Sequence, residues 1–221
     1  MSEVFISQPV MWAPGLESDH EKWSKWLAGA ADIEKSKAAP KLEYTDPLFR
    51  RRLSQISKMT VHVIHDFSEK YGLDKDTKVI FVSLRGEIAR EFSINHGIIE
   101  EKMILPAGFS LSVFNTPVAL ATIAFGLTGG YSAVYPSKGD FSSALKTAAS
   151  PVLCGSEKNV LLVYADELVP ECYGVDSTPL SFAALLSCEK TENGVELADI
   201  IEEKLPVDFL KALLKRCGNN V

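Results

Sequence analysis

The 221-residue chain is 46% hydrophobic and 24% charged, with 29 Asp and Glu against 23 Lys and Arg and a formal net charge of −6. This is the composition of a globular protein with material for a sizeable core, and it excludes a disordered chain. The acidic balance and scattered basic residues leave no long positive surface for a phosphate backbone, so no nucleic-acid partner is expected.

The longest apolar run, residues 118–127, is about half of the ~20 residues that cross a bilayer, so no membrane span is expected. The opening MSEVFISQPVMWAPG has neither the cationic start nor the continuous apolar stretch of a secretory signal, which points to a cytoplasmic protein. Cys154, Cys172, Cys188 and Cys217 fit neither metal-binding CxxC spacing nor a dense disulfide framework; they are expected to be reduced and mostly buried. No metal or cofactor site is expected.

In chain order, EVFISQPVMW (residues 3–12) is a strand candidate, and residues 17–44, with Trp23 and Trp26, read as a short helix plus a surface loop. Residues 47–71 carry Leu48, Leu53, Ile56, Met59, Val63, Ile64 and Phe67 at helical spacing and are expected to form one long helix. Asp46 is its acidic N-cap, and Arg50, Arg51 and Arg52 are a solvated or structurally paired face of its first turns. VIFVSL (79–84) and NVLLVYA (159–165) are nearly unbroken apolar runs, as in strands buried on both faces. Helices are expected over 116–125 and 141–149, and a short strand at YSAVY. A further strand in PLSFAALLS is followed by a turn at Asn193 and Gly194, and the chain closes on an amphipathic helix in LPVDFLKALLKR. Alternation of strand and helix implies parallel pairing through right-handed crossovers, hence an α/β fold, with residues 1–221 forming a single domain.

The stretch GGYSAVYPSKGDFSSAL places a strand, a turn and a helix start in succession. Backbone amides at such a helix start would activate a thiol and stabilise developing negative charge. The residue there is Lys138. His62 and His65, three apart on the long helix, suit a core or rim role in the absence of a third ligand. No Gly-x-Ser-x-Gly elbow and no phosphate loop is present.

NTPVALATIAFGLTGGYSAVYPSKG resembles, without gaps, the β-ketoacyl synthase segment from the dimer-interface helix to the nucleophilic Cys. Gly129 falls on the Gly of Gly-Pro-Ser and Lys138 on the Cys. NVLLVYADE is similar to the synthase strand ending in Ala-Gly-Gly-x-Glu, with Glu167 on the Glu, and RRRLSQISKMTVHVIHD resembles the first long helix. The ordered set MWAPG, FRRRLS, VSLRGEIAR, FSLSVFN and YADELVPE is similar to short β-ketoacyl-synthase-like N-terminal-domain proteins, the chain-length-factor-like subunits of aryl polyene pathways.

The resemblance covers about residues 5–190 and implies a thiolase-like half fold: one layered α-β-α unit like the N-terminal half of a ketoacyl synthase. It implies no catalysis by this chain alone, because the acyl Cys is replaced by Lys138 and the family's later histidines have no counterpart. The implied partner is a full-length β-ketoacyl-acyl-carrier-protein synthase, with the acyl carrier protein engaged through the complex. By the same resemblance, the acyl-tunnel gate and dimer interface fall on Phe109, Leu111, Phe114, Asn115, Thr116, Leu120, Tyr131 and Val134. Two alternatives stand beside it: a free-standing acyl-handling enzyme using Lys138 or a cysteine, and a purely structural stabiliser of the synthase.

Overall fold

The structure, a computed structural model, describes residues 3–103, 106–191 and 193–218. Its centre is a seven-stranded mixed sheet built from β1 (Phe5–Ile6), β2 (Val10–Trp12), β3 (Lys78–Val82), β4 (Tyr131–Val134), β5 (Asn159–Asp166), β6 (Leu180–Ser187) and β7 (Val195–Glu196). The strand order is β4-β3-β5-β6-β1-β7, with β2 also pairing with β6.

Only β3, β4 and β5 pair in parallel; β6 is antiparallel to β5, and β1, β2 and β7 join antiparallel beyond it. The all-parallel pairing expected from alternation therefore holds for half of the sheet. The reason lies in the connections: helices link β3, β4 and β5, whereas only a short 3-10 turn (Glu171–Tyr173) separates β5 from β6. Without a crossover helix the chain folds straight back.

The helices are α1 (His20–Leu27), α2 (Pro47–Arg51), α3 (Gln55–Tyr71), α4 (Ile88–His96), α5 (Pro106–Phe109), α6 (Thr116–Phe125), α7 (Phe141–Leu153) and α8 (Pro206–Arg216). They form layers on both faces of the sheet. On one side Ile80, Val82, Leu162, Tyr164, Phe182 and Leu186 pack with Trp23 and Trp26 of α1, Leu145 of α7 and Phe209 of α8. On the other, Val79, Phe81, Leu161, Val163 and Ala183 pack with Ile56, Met59 and Ile64 of α3 and Val118 of α6. Successive residues of each central strand thus serve opposite cores, which is why β3 and β5 read as continuous apolar runs.

Three expected elements change. The helix over 47–71 is two, because Ser54, extended at ψ 178°, accepts the Ser57 N–H and caps a new helix at Gln55. Asp46 caps the first, accepting the Leu48 and Phe49 N–H groups. The opening strand divides at Ser7–Pro9: Ser7 Oγ accepts the Leu185 N–H at 2.9 Å, and Pro9 has no N–H for the ladder. The helix beginning at Phe141 continues through Pro151 to Leu153, its inner face held by Ala148, Ala149 and Val152.

Candidate functional site

The parallel strands end at a common rim. At the sheet's outer edge β4 runs into Pro136, then a single 3-10 turn over Ser137–Gly139, then α7. Lys138 stands at φ 56°, ψ 21°, the left-handed region that costs a β-carbon-bearing residue on the order of 1 kcal/mol, and its side chain is exposed. The turn is held rather than loose. The Ser137 N–H donates to Ser143 Oγ at 2.8 Å, the Ser143 hydroxyl donates to the Asp140 carbonyl, and the Asp140 carboxylate caps the Ser142 N–H at 3.0 Å. Hydrogen bonding from the Ser142 side chain, added to by its N–H, keeps the Asp140 carboxyl below the usual carboxylate range. Phe141, wholly buried, meets Tyr164 edge-on at 5.5 Å and ties the helix start to β5.

Beneath this rim lie two adjacent buried acids, Asp166 and Glu167, at the end of β5. Asp166 accepts from Ser83 Oγ at 2.6 Å, Tyr164 Oη at 2.6 Å and the Leu84 and Arg85 N–H groups at 3.1 Å. Burial raises its carboxyl above the ordinary value, while the four donors work against that rise. Glu167 accepts the Ala89 N–H at 2.9 Å, and burial pushes its carboxyl up to about 7. Glu87, also buried, accepts the Ser54 and Ser57 hydroxyls and pairs with Arg90 at 3.2 Å. Glu167 was placed by resemblance, with Asp166 noted only as replacing a small residue before it, and the bonding of Asp166 and Glu87 was not foreseen. A usable signal was there: consecutive acids closing an apolar strand must find donors when the strand is central.

The eight sequence-identified gate and interface residues are spread over α5, the turn before α6, α6 itself and β4. Asn115 and Tyr131 meet directly, the Asn115 Nδ2 donating to Tyr131 Oη at 2.9 Å, so the start of α6 is latched to the start of β4. Phe114 is half-buried, edge-on to Phe81 at 6.4 Å, and its ring abuts Gly86. Thr116 is buried at the first turn of α6, with Leu120 packed toward the α3 side. Val134 packs against the opposite core, Leu111 is half-buried in the turn before α6, and Phe109 stands exposed on α5. Leu105, the first residue of the stretch LPAGFSLSVFNTP that holds the gate candidates, lies outside the described residues.

β4 is the sheet's edge, pairing only with β3 among the described strands, and Tyr131, Tyr135 and Ile123 beside it are exposed. Gly129 permits the preceding turn, since a β-carbon there would come within 2.0 Å of the Asp76 carbonyl oxygen.

Elsewhere the structure revises one expectation. Cys154, Cys172 and Cys188 are exposed and only Cys217 is buried, because the first three lie on a helix end, a short turn and a strand end. His62 and His65 share Asp66, at 3.3 and 3.2 Å, on the inner flank of α3, and burial lowers the His62 imidazole. Arg50 donates to the Leu42 carbonyl at 3.3 Å from the last turn of α2, a structural pairing.

A mixed sheet between helical layers, with an edge strand feeding a strained turn and a helix start, fits the thiolase-like α/β half fold that the resemblance implies. The chain belongs to the family described as beta-ketoacyl synthase, N-terminal domain, whose model matches residues 23–213. Among solved structures it is similar to a chain of the ketosynthase (ApeO) in complex with its chain length factor (ApeC) from Xenorhabdus doucetiae: 24% identity, 96% of this chain, 92% of that chain, TM-score 0.75. It is also similar to the ishigamide ketosynthase/chain length factor, at 14% identity, 86% of this chain, 63% of that chain and TM-score 0.63. A beta-ketoacyl synthase from Burkholderia phymatum STM815 matches at 13% identity, 85% of this chain, 59% of that chain and TM-score 0.61. These likenesses show a shared fold; the chain spans less than two thirds of the latter two. No curated protein sequence matches it.

Proposed function

We propose that this chain is a non-catalytic, chain-length-factor-like subunit that heterodimerises with a full-length 3-oxoacyl-acyl-carrier-protein synthase and shapes its acyl tunnel. The observation that carries the reading is the turn itself. It keeps the left-handed backbone and helix start of a nucleophile mount, yet presents an exposed lysine, Lys138, where the family resemblance puts the acyl cysteine. A Schiff-base lysine needs desolvation or a neighbouring cation, and Lys138 is solvent-facing.

The partner supplies the chemistry in this reading, and the chain supplies surface. The open β4 edge, with Tyr131, Tyr135 and Ile123 exposed beside it, offers backbone and apolar groups for pairing. Phe109, Leu111, Phe114 and Thr116 form the tunnel gate, with Asn115, Leu120, Tyr131 and Val134 at the interface. Phe114 acts by sterics, as a ring that a growing chain must pass. The likeness to ketosynthase and chain-length-factor complexes supports the synthase partner, and the resemblance to chain-length-factor-like subunits supports the assignment to a type II fatty-acid or polyene polyketide (aryl polyene) pathway. Residues 1–221 act as one domain, in the cytoplasm, and the acyl carrier protein is met through the complex.

Co-expression with a Cys-containing synthase tests the reading. A stable complex should form, and Phe114→Ala within it should shift products toward longer chains by mass spectrometry. Unchanged products across all four gate substitutions would leave only a stabilising role, and an acyl adduct on Lys138 would overturn the non-catalytic assignment.

A further inference from the structure

Beyond its root at residues 83–87, the segment between β3 and α6 has no buried residue among those described, 88–103 and 106–115. α4 has no buried residue and packs mainly on the π-helical turn Gly97–Glu101 and on α5. Such a segment cannot be held by an apolar core of its own; its root must be held by polar contacts. Those contacts converge on residues 83–90. Asp166 grips the start through Ser83, Leu84 and Arg85, and Glu167 grips the end through Ala89. Ser83 Oγ accepts the Gly86 N–H at 2.7 Å, closing the turn between the two grips.

Gly86 sits in the middle, buried, at φ +59°. A β-carbon there would lie 2.6 Å from Phe114 Cδ2 and 3.3 Å from Phe114 Cα, so the backbone of this turn is in direct contact with the ring. The turn is the wall against which Phe114 stands.

We infer that Asp166 and Glu167 are positioning residues: side by side at the end of β5, they hold the 83–89 turn at both ends and thereby fix where the Phe114 ring stands. The consequence for product length rests on the gate reading above; the mechanical coupling does not.

Glu167 makes this coupling sensitive to pH. It faces an open cleft of about 380 Å³ also lined by Lys37, Lys58 and Arg90. Its charged surroundings are Glu87 at the root of α4, Arg90 on α4, Lys58 on α3, Lys37 on the loop after α1, and Asp166 beside it. Burial, helped by the Glu87 charge, raises its carboxyl to about 7. A raised carboxyl means that the folded protein holds this proton up to near neutrality. Its contribution to stability is therefore present at low pH and declines as pH rises toward 7, while the charged form above 7 grips the Ala89 N–H more strongly.

The test reads the ring directly. 4-Fluorophenylalanine is placed at position 114 of the full chain, and its 19F resonance is followed from about pH 5 to pH 9. The native chain should titrate with a midpoint near 7, Glu167→Gln should hold the resonance at its low-pH position throughout, and Ser83→Ala should displace or broaden it at every pH. A resonance unmoved by pH and by both substitutions overturns the inference, as does a titration that persists in Glu167→Gln. In the synthase complex, Glu167→Gln should remove the pH dependence of product length across the same range. If the ring responds while product length does not, the positioning role stands and the gate reading fails.

Discussion

The centre of the sheet and its β4 edge are built from similar residues and put to opposite uses. Along β5 and β6 all but one residue of each strand is buried, with aromatic and branched side chains alternating between two cores. On β4 no residue is buried, and Tyr131 within it, Tyr135 just after it and Ile123 on the adjacent α6 all reach solvent. Apolar surface at the centre stabilises the fold; at the edge it is left available. The difference locates stability at the centre of the sheet and, in the proposed function, association at its β4 edge.

The largest effect should come from the centre. Phe182 is fully buried and stacks with Tyr164 at 5.2 Å and Phe209 at 5.9 Å, so Phe182→Ala should cost about 3–5 kcal/mol in urea unfolding. A loss under about 1 kcal/mol would mean that the aromatic stack is not the fold's main support.

At the edge the ranking should reverse. Ile123 on α6 is 74% exposed, so Ile123→Asp should change the stability of the isolated chain by no more than about 0.5 kcal/mol. Burying that charge at an interface should weaken binding to the synthase at least about tenfold, read by titration calorimetry. Equal binding would remove α6 from the interface and break the division between centre and edge.

That division explains what could be read from the chain alone. β3, β5 and α6 were legible because their side chains answer to local period and to burial on both faces: residues 116–125 fall where expected. The antiparallel half was not, because the direction of β6 depends on what connects it to β5, and PECYGVDST has no apolar period to reveal that it is no helix. Ser54 illustrates the limit at finer scale. Its apolar neighbours at helical spacing suit one helix, and only its own extended backbone turns the hydroxyl into a cap. At the rim, Lys138 and Glu167 were found through resemblance. The grip of Asp166 on residues 83–85 was invisible, since it joins positions more than 80 apart through hydrogen bonds that leave no mark on hydrophobic pattern.

The smallest effect concerns the turn where edge and centre meet. Lys138 holds a left-handed backbone with an exposed side chain, so its β-carbon is strained while the rest of the residue gains little from the fold. Lys138→Gly relieves that strain but also gives the unfolded chain more freedom, and the two effects partly cancel. A net stabilisation of about 0.5 kcal/mol is expected by thermal or urea unfolding, with binding to the synthase unaltered. A loss of more than about 1 kcal/mol would show that the lysine side chain itself supports the turn, and would move this corner from the edge's account of surface to the centre's account of structure.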